Sequence, residues 1–295
     1  MVFLTRVSGL YRWSVTEMGN TARILLRSSK FMVGIFIIIA IILTIIIYPL
    51  INTGNPTEMK ALAYQPPSKD MVLGSDNFGR DVLLELVYGT RNSLLVGILA
   101  GVIATAIGII IGLLAGYAGG ITDDLLTALT NIFLVIPQIV ILILITVSLK
   151  QRSLVISAVI IGLTTWPWTA RSVRAQTSSL RNREHVNIAK ISGYNTSKII
   201  VSEILPYIAS YIAMAFILQI GSGIIIEATL SMLGLGPYNT ITLGIMLQWS
   251  ILFEAPAAGA WWAFIPVCLS VAFITFSLYL MNSGMDEIFN PKIRS

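Results

Sequence analysis

Residues 166–206 read WPWTARSVRAQTSSLRNREHVNIAKISGYNTSKIIVSEILP. The stretch is polar and carries six Lys/Arg: Arg171, Arg174, Arg181, Arg183, Lys190 and Lys198. Apolar runs flank it at 154–170 and 205–227. Each is close to the ~20 residues an α-helix needs to cross the ~30 Å hydrocarbon layer. A long basic segment between two such runs makes the chain a polytopic membrane protein. It also makes the segment the first place to look for contact with something outside the bilayer.

Composition agrees. The chain has 295 residues, 56% hydrophobic and 11% charged, with mean hydropathy +0.84. Soluble domains carry about a quarter charged residues. The pI near 9.4 would suit a nucleic-acid binder, but the charges fall between apolar runs, where the positive-inside rule places them, so no nucleic-acid partner is expected. Six spans are expected, at 31–50, 93–118, 125–149, 154–170, 205–227 and 261–282. The run Phe31–Leu50 follows five basic residues (Arg6, Arg12, Arg23, Arg27, Lys30). It is long for a signal peptide and lacks a cleavage site, so it reads as an uncleaved first helix. With the N-terminus inside, the cytoplasmic segments hold 13 Lys/Arg and the external ones 6, and both termini are cytoplasmic. The organisation expected is a cytoplasmic tail (1–30), a first span with an external loop (31–92), a core (93–282) containing the cytoplasmic loop 171–204, and a cytoplasmic tail (283–295). Trp166 and Trp168 then fall at the inner interface and Trp261 and Trp262 at the outer one.

Individual residues refine this. Ala100, Ala104, Gly108, Gly112 and Gly116 recur every fourth position of the second span, on one helical stripe. Such a stripe admits a close backbone, either within the protein or from another subunit. Pro137, Pro167 and Pro266 interrupt or flank spans and should bend them. Cys268 lies in an apolar run and reads as a packed membrane thiol. The segment 74–91 carries Asp76, Arg80, Asp81, Glu85 and Arg91. Opposite charges three and four residues apart can clip a surface helix together, and the DNFGRD turn is dense in local hydrogen-bonding residues, so a structural clasp is expected.

In the basic loop, Glu184–Ser192 can form a short amphipathic helix, with Gly193 as its stop. A second helical stretch from Thr196 leads to Pro206. A helix held between two turns can act as a rigid lever on the membrane surface; the other reading is a solvated basic face on anionic lipid. The sequence has no phosphate-binding G-x-x-x-x-G-K-[ST] and no H-E-x-x-H. His185 is the one histidine. No catalytic set and no metal site is expected, and no acidic relay crosses the spans, so energy must come from outside the chain.

Glu184–Pro206 resembles the cytoplasmic signature loop of ATP-binding-cassette importer permeases, Glu-Ala-Ala, three residues, Gly, nine residues, Ile-x-Leu-Pro. Ala189, Gly193, Leu205 and Pro206 match; Asn187, Ile188 and Glu203 depart. LGSDNFGRDVLLELVYGTRNSLLVG (73–97), GLLAGYAGGITDDLL (112–126), ARSVRAQTSSLRNREHV (170–186), EATLSMLGLG (227–236) and NPKIR (290–294) are similar, in that order, to the C-type permease subunit of dipeptide/oligopeptide importers. The tail YLMNSGMDEIFNPK departs from that subunit's usual Gly-Asp-x-Leu-Arg-Asp. The resemblance implies a six-helix, type I importer permease bundle in a bacterial or archaeal cell membrane. It implies a homologous second permease, two ATPase subunits that carry ATP and Mg, and an extracellular substrate-binding protein that segment 74–91 could meet. It also assigns Glu184, His185, Asn187, Ala189, Gly193, Tyr194, Leu205 and Pro206 to the ATPase-coupling loop. Short peptides are the expected cargo, with short oligosaccharides or nickel carried by relatives. An autonomous ion-coupled carrier is the alternative of another class.

Overall fold

A computed structural model describes residues 28–149 and 151–289. The described residues form helices α1 (Ser29–Ile51), α2 (Val82–Ala118), α3 (Gly120–Val135), α4 (Gln138–Ser148), α5 (Leu154–Leu180), α6 (Glu184–Ile191), α7 (Thr196–Ile199), α8 (Leu205–Met232), α9 (Leu243–Leu252) and α10 (Ile265–Phe289). A π turn, Ile200–Ile204, joins α7 to α8, and a 3₁₀ turn, Trp261–Ala263, precedes α10. Among the described residues five stretches are long and apolar enough to span a bilayer, and the bent pair α3–α4, taken as one broken span, makes a sixth. The basic residues Arg6, Arg12, Arg23 and Arg27, and the segment NPKIR at 290–294, lie outside the described residues.

Helices α1, α2 and α5 start where short polar side chains take up free N–H groups. Ser28 caps α1 through Phe31 N at 3.4 Å, Asp81 caps α2 through Leu83 N at 2.9 Å and Leu84 N at 3.3 Å, and Ser153 caps α5 through Ile156 N at 3.3 Å. The packing order runs α1–α10–α8–α2–α5, with α3 and α4 flanking α5. The α2–α5 contact is the tightest. A Cβ added at Gly108 would stand 2.6 Å from Thr169 Cβ, one at Gly112 2.7 Å from Val173 Cβ, and one at Gly116 2.7 Å from Thr177 Cβ. These glycines therefore let α5 lie almost backbone-on-backbone against α2.

Several boundaries differ from those expected. The second span starts at Val82 rather than 93, because the Asp81 cap starts the helix eleven residues earlier. At 37 residues and about 1.5 Å per residue, α2 is longer than the hydrocarbon layer and projects from it. The third span is not straight: α3 and α4 meet at 84°, where Pro137 has no N–H to continue the ladder. The segment expected to leave the membrane at 171 instead continues α5 for nearly three more turns, to Leu180, Pro167 being absorbed within that helix. An apolar helix, α9, stands inside the expected loop 228–260. Only one tryptophan of each pair faces outward: Trp168 and Trp261 are exposed, while Trp166 packs on Phe133 and Trp262 is buried. Cys268 is exposed rather than packed, because Val267, Ile274 and Leu278 supply the buried face of α10.

At the end of the bundle opposite the basic segment, residues 52–81 fold into a cap over α9 and the start of α10. Tyr64 Oη donates to Phe253 O at 2.8 Å, and Trp262 Nε1 to Ser75 O at 3.1 Å. The cap has no regular strand, only a single bridge between Ser75 and Asp81.

The glycine contact is directly testable. Gly112→Ala should destabilise the protein by about 1–3 kcal/mol through overpacking and lower Tm in detergent. Gly221→Ala, whose Cβ would meet only Leu278 Cδ1 at 3.7 Å, should leave Tm unchanged or slightly raised, since alanine is the better helix former.

Candidate functional site

The basic end is organised around α6. Glu184 stands in its first turn and Lys190 in its last, both matched to the helix dipole. Its C-terminus closes as a Schellman motif: Tyr194 N donates to Ala189 O at 3.1 Å and Gly193 N to Lys190 O at 3.0 Å. The motif requires a left-handed residue after the cap, and Gly193 supplies it at φ 78°. Spacing then divides the helix into two faces. Val186 and Ala189 are buried against Leu113, Val173, Ile199, Ile204 and Ile208. Ile188 and Ile191 point away, 63% and 88% exposed, beside exposed Glu184 and Asn187.

Polar contacts fix α6 at both ends. Lys190 Nζ donates to Arg181 O at 3.1 Å and Asn187 Nδ2 to Asn182 O at 3.2 Å. His185 lies 3.2 Å from Glu203 O through Nε2 and stacks on Tyr207 with ring centres 4.6 Å apart. Asn195 caps α7 by accepting from Lys198 N at 2.9 Å, and the Lys198 ammonium sits 3.6 Å over the Tyr194 ring. The π turn then carries the chain to Leu205 and Pro206, widening the helix by one residue just before a residue with no N–H. Glu184, His185, Asn187, Ala189, Gly193, Tyr194, Leu205 and Pro206 thus share one unit, a helix seated on the bundle by one face and open on the other.

At the opposite end the charged segment works mainly through backbone groups of the DNFGRD turn, with one side-chain ion pair at five-residue rather than three- or four-residue spacing. Asp76 accepts from Phe78 N at 2.8 Å and Arg80 N at 2.7 Å, and Asp81 caps α2. Arg80 reaches Glu85 at 3.5 Å, five residues on, and its guanidinium lies against both Phe78 and Trp249, 4.5 and 4.9 Å from their ring centres. Arg91 is exposed on α2. Burial pushes the Asp76 carboxyl up, opposed by the N–H groups of Arg80 and Phe78. Burial, then the Asp76 charge, raises the Tyr64 phenol.

Sequence reasoning missed a buried polar junction. Glu227, 1% exposed, accepts from Ser93 Oγ at 3.1 Å and from Ser231 Oγ and Thr242 Oγ1 at 2.7 Å each. Ser93 Oγ in turn accepts from Leu243 N at 3.0 Å. The junction ties α2, α8 and α9 together. The local signal was a Glu and a Ser four residues apart in an apolar helix; the other partners are 134 and 15 residues from Glu227 in sequence. It is a structural tie, with every donor used inside the fold. Among the described residues no cluster of His, Cys, Asp and Glu is arranged to hold a metal ion.

A protein family described as the binding-protein-dependent transport system inner membrane component matches residues 108–295. The oligopeptide transport system permease protein OppC of Bacillus subtilis is 32% identical, covering 91% of this chain and 88% of its own. The dipeptide transport system permease protein DppC of Haemophilus influenzae is 30% identical, covering 89% and 90%. Among solved structures, the inward-facing MetNI methionine ABC transporter has a chain of similar fold, at TM-score 0.52 and 19% identity, over 71% of this chain and 96% of that one.

The Glu227 junction yields an expected outcome. Glu227→Ala strands three buried hydroxyls and should cost about 3 kcal/mol or more, read as a lower Tm and faster proteolysis of the 233–242 loop. Ser231→Ala, which leaves the carboxylate two donors, should cost about 1 kcal/mol.

Proposed function

The chain belongs to the family of binding-protein-dependent transport system inner membrane components, and on that premise we propose that it forms half of the translocation path of an ATP-driven importer of short peptides. The observation that carries the reading is α6: a short helix locked by a Schellman turn and a histidine stack, with Ile188 and Ile191 uncovered outside the membrane layer. An apolar pair on a rigid polar helix is suited to a groove on a soluble protein. That protein would be one of two ATPase subunits, which bind ATP and Mg; this chain has a transport role and hydrolyses nothing. The Lys/Arg bias supports a cytoplasmic basic end and cytoplasmic termini; in a bacterial or archaeal cell membrane the 52–81 cap would then lie outside, where it would meet a soluble substrate-binding protein. A homologous second permease would complete the path.

In this scheme closure of the ATPase dimer displaces α6. Its buried face, Val186 and Ala189, passes the displacement to α2, α5 and the π turn into α8. The bundle has two packings, one biased by ATP from inside and the other by the loaded binding protein from outside. The relatives named for dipeptides and oligopeptides support a peptide cargo.

The test is a mild-detergent pull-down of the tagged chain from its native membranes, with stoichiometry by mass spectrometry. A second permease and two ATPases should be recovered, and the co-purifying binding protein should take up short peptides. A binding protein that takes only oligosaccharide or nickel would reassign the cargo, and recovery of this chain alone would favour an autonomous carrier. Ile191→Glu should reduce ATPase recovery at least tenfold, about 1.4 kcal/mol, without lowering Tm. Gly193→Pro, which removes both the N–H and the left-handed conformation of the turn, should abolish uptake while the two permeases still assemble.

A further inference from the structure

The helix α3 has a backbone break at each end. At its start Gly119 and Gly120 both have positive φ, 69° and 55°, and a Cβ on Gly120 would meet nothing within 4 Å. At its end the chain turns by 84° at Ile136 and Pro137. Between these two breaks only Thr130 is buried. Beneath the helix lies a cavity of about 300 Å³, lined by Gly112, Ala115, Leu126, Thr130 and Ala170 among others. Apolar packing is confined largely to Phe133 on Trp166, at 5.3 Å.

What spans the gap is polar. Arg174 grips Asp123 with both arms, Nε to Oδ1 and Nη2 to Oδ2, the latter at 2.7 Å. Thr127 Oγ1 donates to the same carboxylate at 3.1 Å, and Arg171 Nη2 donates to Asn131 Oδ1 at 2.7 Å. A bidentate pair of this kind fixes orientation as well as distance. The Arg174 and Asp123 side chains are only 37% and 20% exposed.

The same end of α5 also holds the hinge. Arg181 Nη1 donates to Tyr117 O at 3.4 Å, two residues before Gly119, and Arg181 O accepts from Lys190 of α6 at 3.1 Å. Arg174 on α5 and Arg181, the residue that ends it before the turn 181–183 into α6, therefore lie on one side of α3, one on the strap and the other on its hinge.

We propose that α3 is a hinged strap that swings on Gly119–Gly120 and Ile136–Pro137, and that the Asp123–Arg174 pair is the latch holding it closed against α5. Displacement of α6 drags Arg181 and turns α5, which releases or resets the latch. The latch rests on the geometry alone; its tie to transport rests on the importer reading.

The test uses the full chain in nanodiscs, with Cys268→Ser removing the one native cysteine and spin labels at Leu125 on α3 and Ser178 on α5, both exposed. The latched chain should give one narrow distance. Asp123→Asn and Arg174→Gln should each add a longer distance and raise the open-to-closed ratio by about fivefold, the effect of losing a partly exposed ion pair. The double variant should open no further than either single one, because both remove the same interaction. Unchanged distances in the single variants, or additive opening in the double, would overturn the latch. In the assembled importer, ATP should shift the same distance; no shift would overturn the tie to transport and leave the latch standing. Absence of any ATPase partner would overturn the importer reading without touching the label result.

Discussion

The close approach of α2 and α5 is the constraint on which the rest depends. In hydrocarbon there is no hydrophobic gain from bringing two apolar helices together, so association rests on fit. Gly108, Gly112 and Gly116 remove the side chains that would hold the helices apart, and the backbone of Ala170 and Arg174 settles into the space. With that contact made, α2 has one face left for α8 and the edge of α5 is free for α3 and α4. Side chains at these three positions would separate the pair along just over two turns.

Polar groups then decide how the two ends differ. Away from the basic segment the bundle is closed. Glu227 gathers three hydroxyls from three parts of the fold, Asp76 and Asp81 saturate backbone N–H groups, and the 52–81 cap is bonded to the stretch before α10. Buried carboxylates persist there because each has donors within reach. The basic end is open by comparison. The short helix α6 presents two isoleucines to solvent, and α3 is held over a cavity largely by polar and charged side chains. Regions with few buried apolar contacts are those expected to move at low cost, so the mobile parts and the candidate coupling surface lie at the same end.

Much of this was legible in the sequence. Six apolar stretches, the basic loop and the Lys/Arg bias follow from the bilayer as a solvent, which acts on every residue locally and leaves its mark on composition and period. The short helix Glu184–Ser192 with a stop at Gly193 could be read because capping chemistry is local too: a helix former, a glycine and a turn within ten residues. The glycine stripe was visible for the same reason, although the sequence could not say whether it met α5 or another subunit.

What only the tertiary structure decided involves partners distant in the chain. Asp123 and Arg174 are 51 residues apart and Ser93 and Glu227 are 134 apart, and nothing near either member of a pair announces the other. Helix boundaries moved for a related reason: hydropathy marks where a chain can be buried, whereas a helix runs from cap to cap, so α2 begins just after Asp81 and α5 passes through Arg171 and Arg174. Sequence alone therefore determined that this chain crosses a membrane six times and carries a short helix in a basic segment on one side of it. Folding decided which charges hold α6 and α3 in place, because an ion pair or a buried hydrogen bond is a property of two positions brought together, and local pattern records only one position at a time.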